Sequence, residues 1–499
     1  MLALIVLFVV LGLALRASSL PIVHQGVVYN SDGSATAIED SSSLAAAAGK
    51  SETIEQIVDH LNSGLNETFT QRYFVNETQW DKASDAPVLL CVGGEGPPLD
   101  ASVLGETCVH CTEMVHYSQQ KKSLTFALEH RFYGSSMPTS DYSTKNMKGL
   151  LSSRQAAMDV GNFILQMQEK YQIPKETKWI TFGGSYPGMM AAISHKEYPD
   201  VIYASVANSA PLEASVAMPG YNAIVGEAIQ NELVGGSQEC FNIVRDGHQE
   251  VKELLSSADG RRTLEKQFNV CGKQGALDDE FNQAIFAGMG VVYLPTQSND
   301  PACTSKLCNI DKICSYLTTS EEDSSMNKLS ALSLEMSSSC KFVSHAATVA
   351  AYTPVSSPSR VWLYQTCSEW GFYMTCEAGT TCPFATGLKN LEQNLDICEK
   401  AFSIDADAVN ANIAAANERY GGLDFIADRT MFVNGEVDPW RSNSVQDIPK
   451  GATSDNEPTY LSMGASHHFW THEFLPTDSE LITNTRQAIF DQLDKWLQQ

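Results

Sequence analysis

The chain has 499 residues, too many for one compact core of ordinary size, and its length points to two or three structural units. Its 59 acidic and 33 basic residues leave a formal charge of -26, a surface that repels phosphate backbones and argues against nucleic-acid partners. Thirteen cysteines, ten of them from Cys240 to Cys398, fit an oxidising destination and a stapled middle region.

In chain order, residues 2–15 are almost wholly apolar and precede Arg16, Ala17, Ser18 and Ser19. That run is short for a membrane span and sits where a signal peptide's apolar region belongs, so 1–19 reads as a signal peptide. No later stretch holds ~18 uninterrupted apolar residues, so the mature form is expected to need no membrane. Residues 20–52 are rich in Ser and Ala and poor in large apolar groups, the composition of a disordered extension or propeptide. Asn66 and Asn76 each open an Asn-Glu-Thr sequon, an acceptor for N-glycosylation in a secretory protein.

From about residue 55, strand and helix patterns alternate. Apolar runs at 88–92, 124–129, 179–182 and 201–206 read as strands, and 152–170 and 189–198 as helices. Such alternation argues for a mainly parallel sheet covered on both faces. From about 214 to 420 the pattern turns Cys-rich and helical, and the α/β signature returns at 430–433, 460–463 and 485–497. One α/β sheet interrupted by a helical, disulfide-rich insertion follows, with the sheet part at 53–213 and 421–499 and the insertion at 214–420.

The odd cysteine count leaves one thiol over. Cys91 is the candidate, because 88–92 reads as a buried strand in which Cys acts as a small hydrophobe. Cys108 and Cys111 have metal-ligand spacing with His110 and His116 nearby, but no second pair is spaced to complete a zinc site. No metal and no cofactor is expected.

The strongest local signal is the strand-turn-helix around Gly183-Gly184-Ser185-Tyr186-Pro187-Gly188. Serine is a weak nucleophile unless a sharp turn holds it beside a base and near N–H groups that await an oxyanion. The simple G-x-S-x-G elbow is altered here: Pro187 stands two after Ser185, and the glycine comes one later. For this fold an acid and then a histidine should follow the serine along the chain. Asp438 lies just after the strand at 430–433, and Gly464-Ala465-Ser466-His467-His468 lies after the next one. Spacing alone leaves His467 and His468 both open.

Several short motifs occur together in order: Phe69-Thr70-Gln71-Arg72-Tyr73-Phe74-Val75, Gly93-Gly94-Glu95-Gly96-Pro97, Glu129-His130-Arg131-Phe132-Tyr133-Gly134, the Ser185 turn, Asn434-Gly435-Glu436-Val437-Asp438-Pro439-Trp440 and the Ser-His-His loop. The set, over about residue 55 to the end, resembles the lysosomal Pro-X carboxypeptidase family, which also holds dipeptidyl peptidase II and the thymus-specific serine protease. The resemblance implies an α/β-hydrolase whose cap covers a Ser185, Asp438, His467 triad, with His467 preferred over His468. It implies an oxyanion hole from the Tyr186 N–H and an N–H of the glycine loop, at Gly94.

It further implies an exopeptidase acting after Pro or a small apolar residue, with the carboxypeptidase direction slightly favoured over dipeptidyl trimming. An esterase on the same fold is the other reading. Tyr186, Trp440, Phe372 and Tyr373 are candidate pocket walls, and Glu95 and Glu369 candidate anchors for a substrate ammonium. Arg131 is a candidate for a substrate carboxylate, though a structural ion pair is its first reading. Peptides are the expected partners, a homodimer is left open, and the expected location is the secretory pathway, lysosomal or extracellular.

Overall fold

The computed structural model describes residues 49–62, 64 and 66–499, and the backbone of three short strands, β1 (Ile22–His24), β2 (Val27–Tyr29) and β3 (Ala35–Thr36). Residues 1–19, read as a signal peptide, lie outside the described residues, as does most of the 20–52 extension. The parts of that extension that are described carry strands: β1, β2 and β3 pair antiparallel with one another. The strand β4 (Lys50–Ile57) also begins inside it.

An eight-stranded sheet forms the centre of the molecule. After β4 come β5 (Thr68–Asn76), β6 (Val88–Val92), helix α1 (Thr112–Lys121), β7 (Thr125–Leu128) and helix α2 (Ser153–Tyr171). Then follow β8 (Trp179–Gly184), helix α3 (Tyr186–Glu197) and β9 (Ala204–Asn208). The chain leaves for the insertion and returns as β12 (Thr430–Gly435), β13 (Thr459–Ser462) and a last helix (Glu480–Leu497).

The strands lie in the order β13-β12-β9-β8-β6-β7-β5-β4. All pairings from β7 to β13 are parallel, and β5 joins β7 and β4 antiparallel. This is the α/β-hydrolase fold. Helices cover both faces of the parallel part, so β6, β8, β9 and β12 are buried along their whole length. That burial is why they read as continuous apolar runs and not as alternating ones.

The segment between β9 and β12 forms the cap. Among its helices are α4 (Pro219–Ala228), α5 (Gln238–Leu255), α6 (Asn390–Phe402) and α7 (Ala406–Tyr420), with a parallel pair of short strands, β10 (Ser215–Met218) and β11 (Gly371–Met374). Five disulfides staple it: Cys240–Cys314, Cys271–Cys340, Cys303–Cys308, Cys367–Cys398 and Cys376–Cys382.

The cysteine expectation is corrected. Cys91 is bonded to Cys111, and the free thiol is Cys108. Alternation along β6 turns Leu89 and Cys91 to one face, where they pack with Met114 and Val115 of α1, and Cys111 heads that helix. Cys111 is thereby unavailable as a zinc thiolate.

Candidate active site

Parallel strands end at one edge of the sheet, and that edge collects the candidate residues. Gly94 follows β6, Ser185 follows β8, Asp438 follows β12 and His467 follows β13. Hundreds of residues of sequence separation are cancelled by register: Gly184 stands beside Asn208, Asn208 beside Val433, and Val433 beside Tyr460.

Ser185 is 4% exposed and sits at φ 66°, ψ -134°, a left-handed conformation that costs an L-residue ~1–3 kcal/mol. The turn is held by Ser185 N–H donating to Asn208 O at 2.9 Å and by Met189 N–H donating to Ser185 O at 3.0 Å. Crowding explains the altered glycine spacing. A Cβ at Gly183 would lie 2.2 Å from Pro187 O, and one at Gly188 would lie 2.7 Å from Asn208 O. Pro187 is tolerated because it falls in the first turn of α3, where its missing N–H has no intrahelical role.

Asp438 is fully buried, and its Oδ2 lies 2.8 Å from His467 Nδ1. Its Oδ1 accepts the Trp440 N–H at 3.0 Å, so the carboxylate is braced on both oxygens. His467 Nε2 is buried with no hydrogen-bond partner, and the backbone N–H of His467 donates to Gln297 O of the cap at 3.2 Å. His468 does not meet Asp438. Its Nδ1 lies 3.0 Å from Thr471 Oγ1, and its ring backs Gly184, where a Cβ would come within 2.8 Å. Burial, with His467 beside it, drives the His468 imidazole well below its ordinary value, so it stays neutral.

Tyr186 opens α3, where first-turn amides lack intrahelical acceptors. Gly94 packs on the same turn: a Cβ there would lie 2.5 Å from Pro187 Cγ. Glu129 braces the far end of the glycine loop, accepting the Leu99 N–H at 3.2 Å while bonding Arg72, Ser135 and Ser136.

The expected pocket residues divide into two groups. Trp440 stands 6.2 Å from the His467 ring, with Phe372 edge-on to it at 5.2 Å and Tyr221 at 5.4 Å. Phe372 holds a φ of 66° in β11, which turns it towards Trp440. Tyr373, its neighbour, faces away and meets Cys398 Sγ at 3.0 Å. Tyr186 is no wall either: its buried hydroxyl bonds His130 Nε2 and Ser153 Oγ at 3.1 Å and Gln365 Nε2 at 2.9 Å.

Glu369 lies beside that network, accepting from Ser153 N and Oγ at 3.0 and 2.9 Å and from Tyr420 at 3.1 Å. Burial raises its carboxyl above the ordinary range. Burial raises the Tyr186 phenol too, with the charges of Glu369 and of the buried Glu95 adding to it. Arg131 is fully buried in a two-point ion pair with Asp159 at 2.6 Å, which removes it from substrate binding.

Sequence reading missed the residues behind the elbow, among them Asn208, Ser209, Glu113 and Trp470. Only Asn208-Ser209-Ala210-Pro211, which looks like a turn, marked the place. Glu113 is fully buried with Oε1 accepting from Asn208, and burial pushes its carboxyl up to about 8.

A family model described as serine carboxypeptidase S28 matches residues 56–489. The chain belongs to that family. As a member of the serine carboxypeptidase S28 family it is a serine peptidase, a hydrolase. It is 34% identical over 468 residues to the thymus-specific serine protease of Homo sapiens, a match covering 91% of this chain and 88% of that one. The Mus musculus protein of the same name is 33% identical over 466 residues, covering 90% and 88%. The lysosomal Pro-X carboxypeptidase of Bos taurus is 24% identical over 471 residues, covering 89% and 87%.

Proposed function

We propose that this S28 peptidase is an exopeptidase cleaving after Pro or a small apolar residue, with Ser185 as nucleophile, His467 as general base and Asp438 as its orienting acid. The observation that carries the reading is the 2.8 Å contact of Asp438 with His467 Nδ1, which leaves a buried, unpartnered Nε2 on the edge that holds Ser185. His467 Nε2 takes the Ser185 proton as Oγ attacks the scissile carbonyl, and returns it to the leaving amine. Asp438 keeps the Nδ1–H tautomer. The N–H groups of Tyr186 and Gly94 receive the oxyanion.

Trp440 stands beside His467 with Phe372 and Tyr221 packed edge-on against it, and these aromatic groups suit a pyrrolidine ring. The name of the bovine relative favours the carboxypeptidase direction. Amino-terminal trimming is the second reading, for which the buried carboxyls of Glu95 and Glu369, near enough to the Tyr186 phenol to raise it, are the acidic groups close to the nucleophile's neighbour.

A panel of peptides tests the reading. Cleavage of an amino-blocked peptide before its last residue, with Pro in the penultimate place, supports the carboxypeptidase; an absolute need for a free amine two residues before the cut supports trimming. Hydrolysis of p-nitrophenyl esters with no turnover of any Pro peptide rejects both.

The same reading places the protein in the secretory pathway, lysosomal or extracellular, with glycans at Asn66, which is exposed, and at Asn76, which is half-buried. Among the described residues no helix is long and apolar enough to cross a membrane. It divides the chain into a hydrolase part, 53–213 with 421–499, and a cap, 214–420.

A further inference from the structure

Strand β9 lies between the strand that carries Ser185 and the strand that leads to Asp438. Its last residue and the next, Asn208 and Ser209, are both fully buried, and neither has a part in the proton relay. Every polar atom of this pair that the structure shows bonded reaches a segment bearing a triad residue or the residues behind it.

The backbone O of Asn208 accepts the Ser185 N–H at 2.9 Å. Its Nδ2 donates to Gly183 O at 3.2 Å, two residues before the nucleophile, and to Glu113 Oε1 at 3.0 Å. Its Oδ1 accepts the Trp470 Nε1–H at 2.7 Å, three residues beyond His467. The amide has one possible orientation here, because an indole N–H only donates and Gly183 O only accepts. Ser209 Oγ accepts the His468 N–H at 2.9 Å, and Ser209 N–H donates to Val433 O at 2.7 Å, in the strand before Asp438. Ser209 holds a φ of 44°, a strained left-handed conformation for a serine. Such strain persists only where the surroundings over-determine it.

We propose that Asn208 and Ser209 are positioning residues that clamp the Ser185 turn to the His467 loop and set the approach of the hydroxyl to the imidazole. The inference rests on the proposed triad. Ser185 is fixed through its own N–H and through Gly183, and His467 through His468 and Trp470, which follow it in the same loop. The two reacting side chains thus share one rigid dipeptide as their reference point, with the cap adding the Gln297 O contact to the His467 N–H. A displacement of ~1 Å between nucleophile and base is enough to cost ~10²-fold in rate.

The test uses the full-length protein and counts active sites with a fluorophosphonate before turnover is measured. Asn208→Ala is expected to lower kcat per labelled site by ~10²-fold, and Trp470→Phe, which removes only the indole donor, by ~10-fold, each with KM within ~2-fold of wild type. The double variant is expected to be no slower than Asn208→Ala alone, because both break one link. Ser209→Ala, which keeps the backbone bonds, is expected to fall ~10-fold.

Should Asn208→Ala fail to fold, Trp470→Phe and Ser209→Ala carry the same comparison. Wild-type kcat per labelled site in these variants, with only Tm reduced, overturns the clamp and makes the pair a packing feature. Failure of the triad reading shows differently: the wild-type adduct then maps to a serine other than Ser185.

Discussion

The sheet edge and the cap solve the same problem, holding a few side chains still, by different means. At the edge, neighbouring parallel strands place Ser185, Asp438 and His467 within a few residues of their own ends, and short backbone bonds complete the geometry. In the cap, helices supply little mutual register, and five of the six disulfides are found there. Position at the edge is thus a property of hydrogen-bonded register; position in the cap depends on covalent staples and packing. The proposed function follows the same division, with the chemistry at the edge and the selectivity in aromatic groups, of which Phe372 and Tyr221 come from the insertion.

The sheet edge is most sensitive at Asp438. Asp438→Asn is expected to lower kcat by ~10⁴-fold while leaving Tm nearly unchanged, because the wrong imidazole tautomer is held in an intact frame. Steady-state kinetics with thermal melting checks both halves.

For the cap, removing Cys240–Cys314 by a double Ala substitution opens a link between residues 74 apart, against 20 for Cys91–Cys111. Loop-closure entropy makes the first loss larger, ~4 kcal/mol against ~3 kcal/mol in urea unfolding. Equal losses contradict the view that the cap depends more on its staples.

Selectivity sharpens the division further. Trp440→Ala is expected to reduce kcat/KM on a Pro peptide ~10²-fold, and Phe372→Ala ~10-fold, with fluorophosphonate labelling retained in both. Loss of labelling in Phe372→Ala shows that the aromatic wall holds the triad in place as well.

The smallest expected effect concerns pH. Burial lifts the Glu113 carboxyl from 4.5 to about 8. Its contribution to stability is complete below pH 4.5 and lost as pH rises through 8, because the unfolded chain releases the proton first. The imidazoles of His110, His130 and His248 are held down at about 4 by burial, so their contribution is complete above pH 6.5 and lost as pH falls through 4. Glu113→Gln should therefore gain Tm over wild type between pH 5 and 8, by about 1–3 °C, and gain nothing near pH 4.5. A constant difference across that range shows that Glu113 does not titrate there.

What was legible in the sequence was what depends on local order. The elbow at Ser185, Asp438 after its strand and the histidine loop each sit on a short strand-turn pattern, and the family motifs then separate His467 from His468. Elements were legible where burial on both faces makes a strand uniformly apolar, as at Val88–Val92. Strand β4 was not, because as an edge strand it buries only Ile54 and Gln56, and with Glu52 and Gln56 at inward positions its alternation is not one of apolar and polar residues. Strand β9 begins at Ala204 and not at 201, since Val201 and Ile202 close a turn on Tyr198 O. The Cys91–Cys111 pairing depends on which face of β6 meets α1, a tertiary fact that spacing does not carry. Asn208 and Tyr186 were missed as hydrogen-bond hubs for the same reason: their partners are remote in sequence.

The proposed mechanism depends above all on Ser185 being the nucleophile that His467 activates. The direct measurement is a peptide map of the native protein after reaction with a fluorophosphonate, alongside Ser185→Ala and His467→Ala. One adduct on Ser185, absent from Ser185→Ala and formed at least ~10³-fold more slowly in His467→Ala, is the predicted result. An adduct on another serine, or peptide hydrolysis surviving in Ser185→Ala, contradicts it.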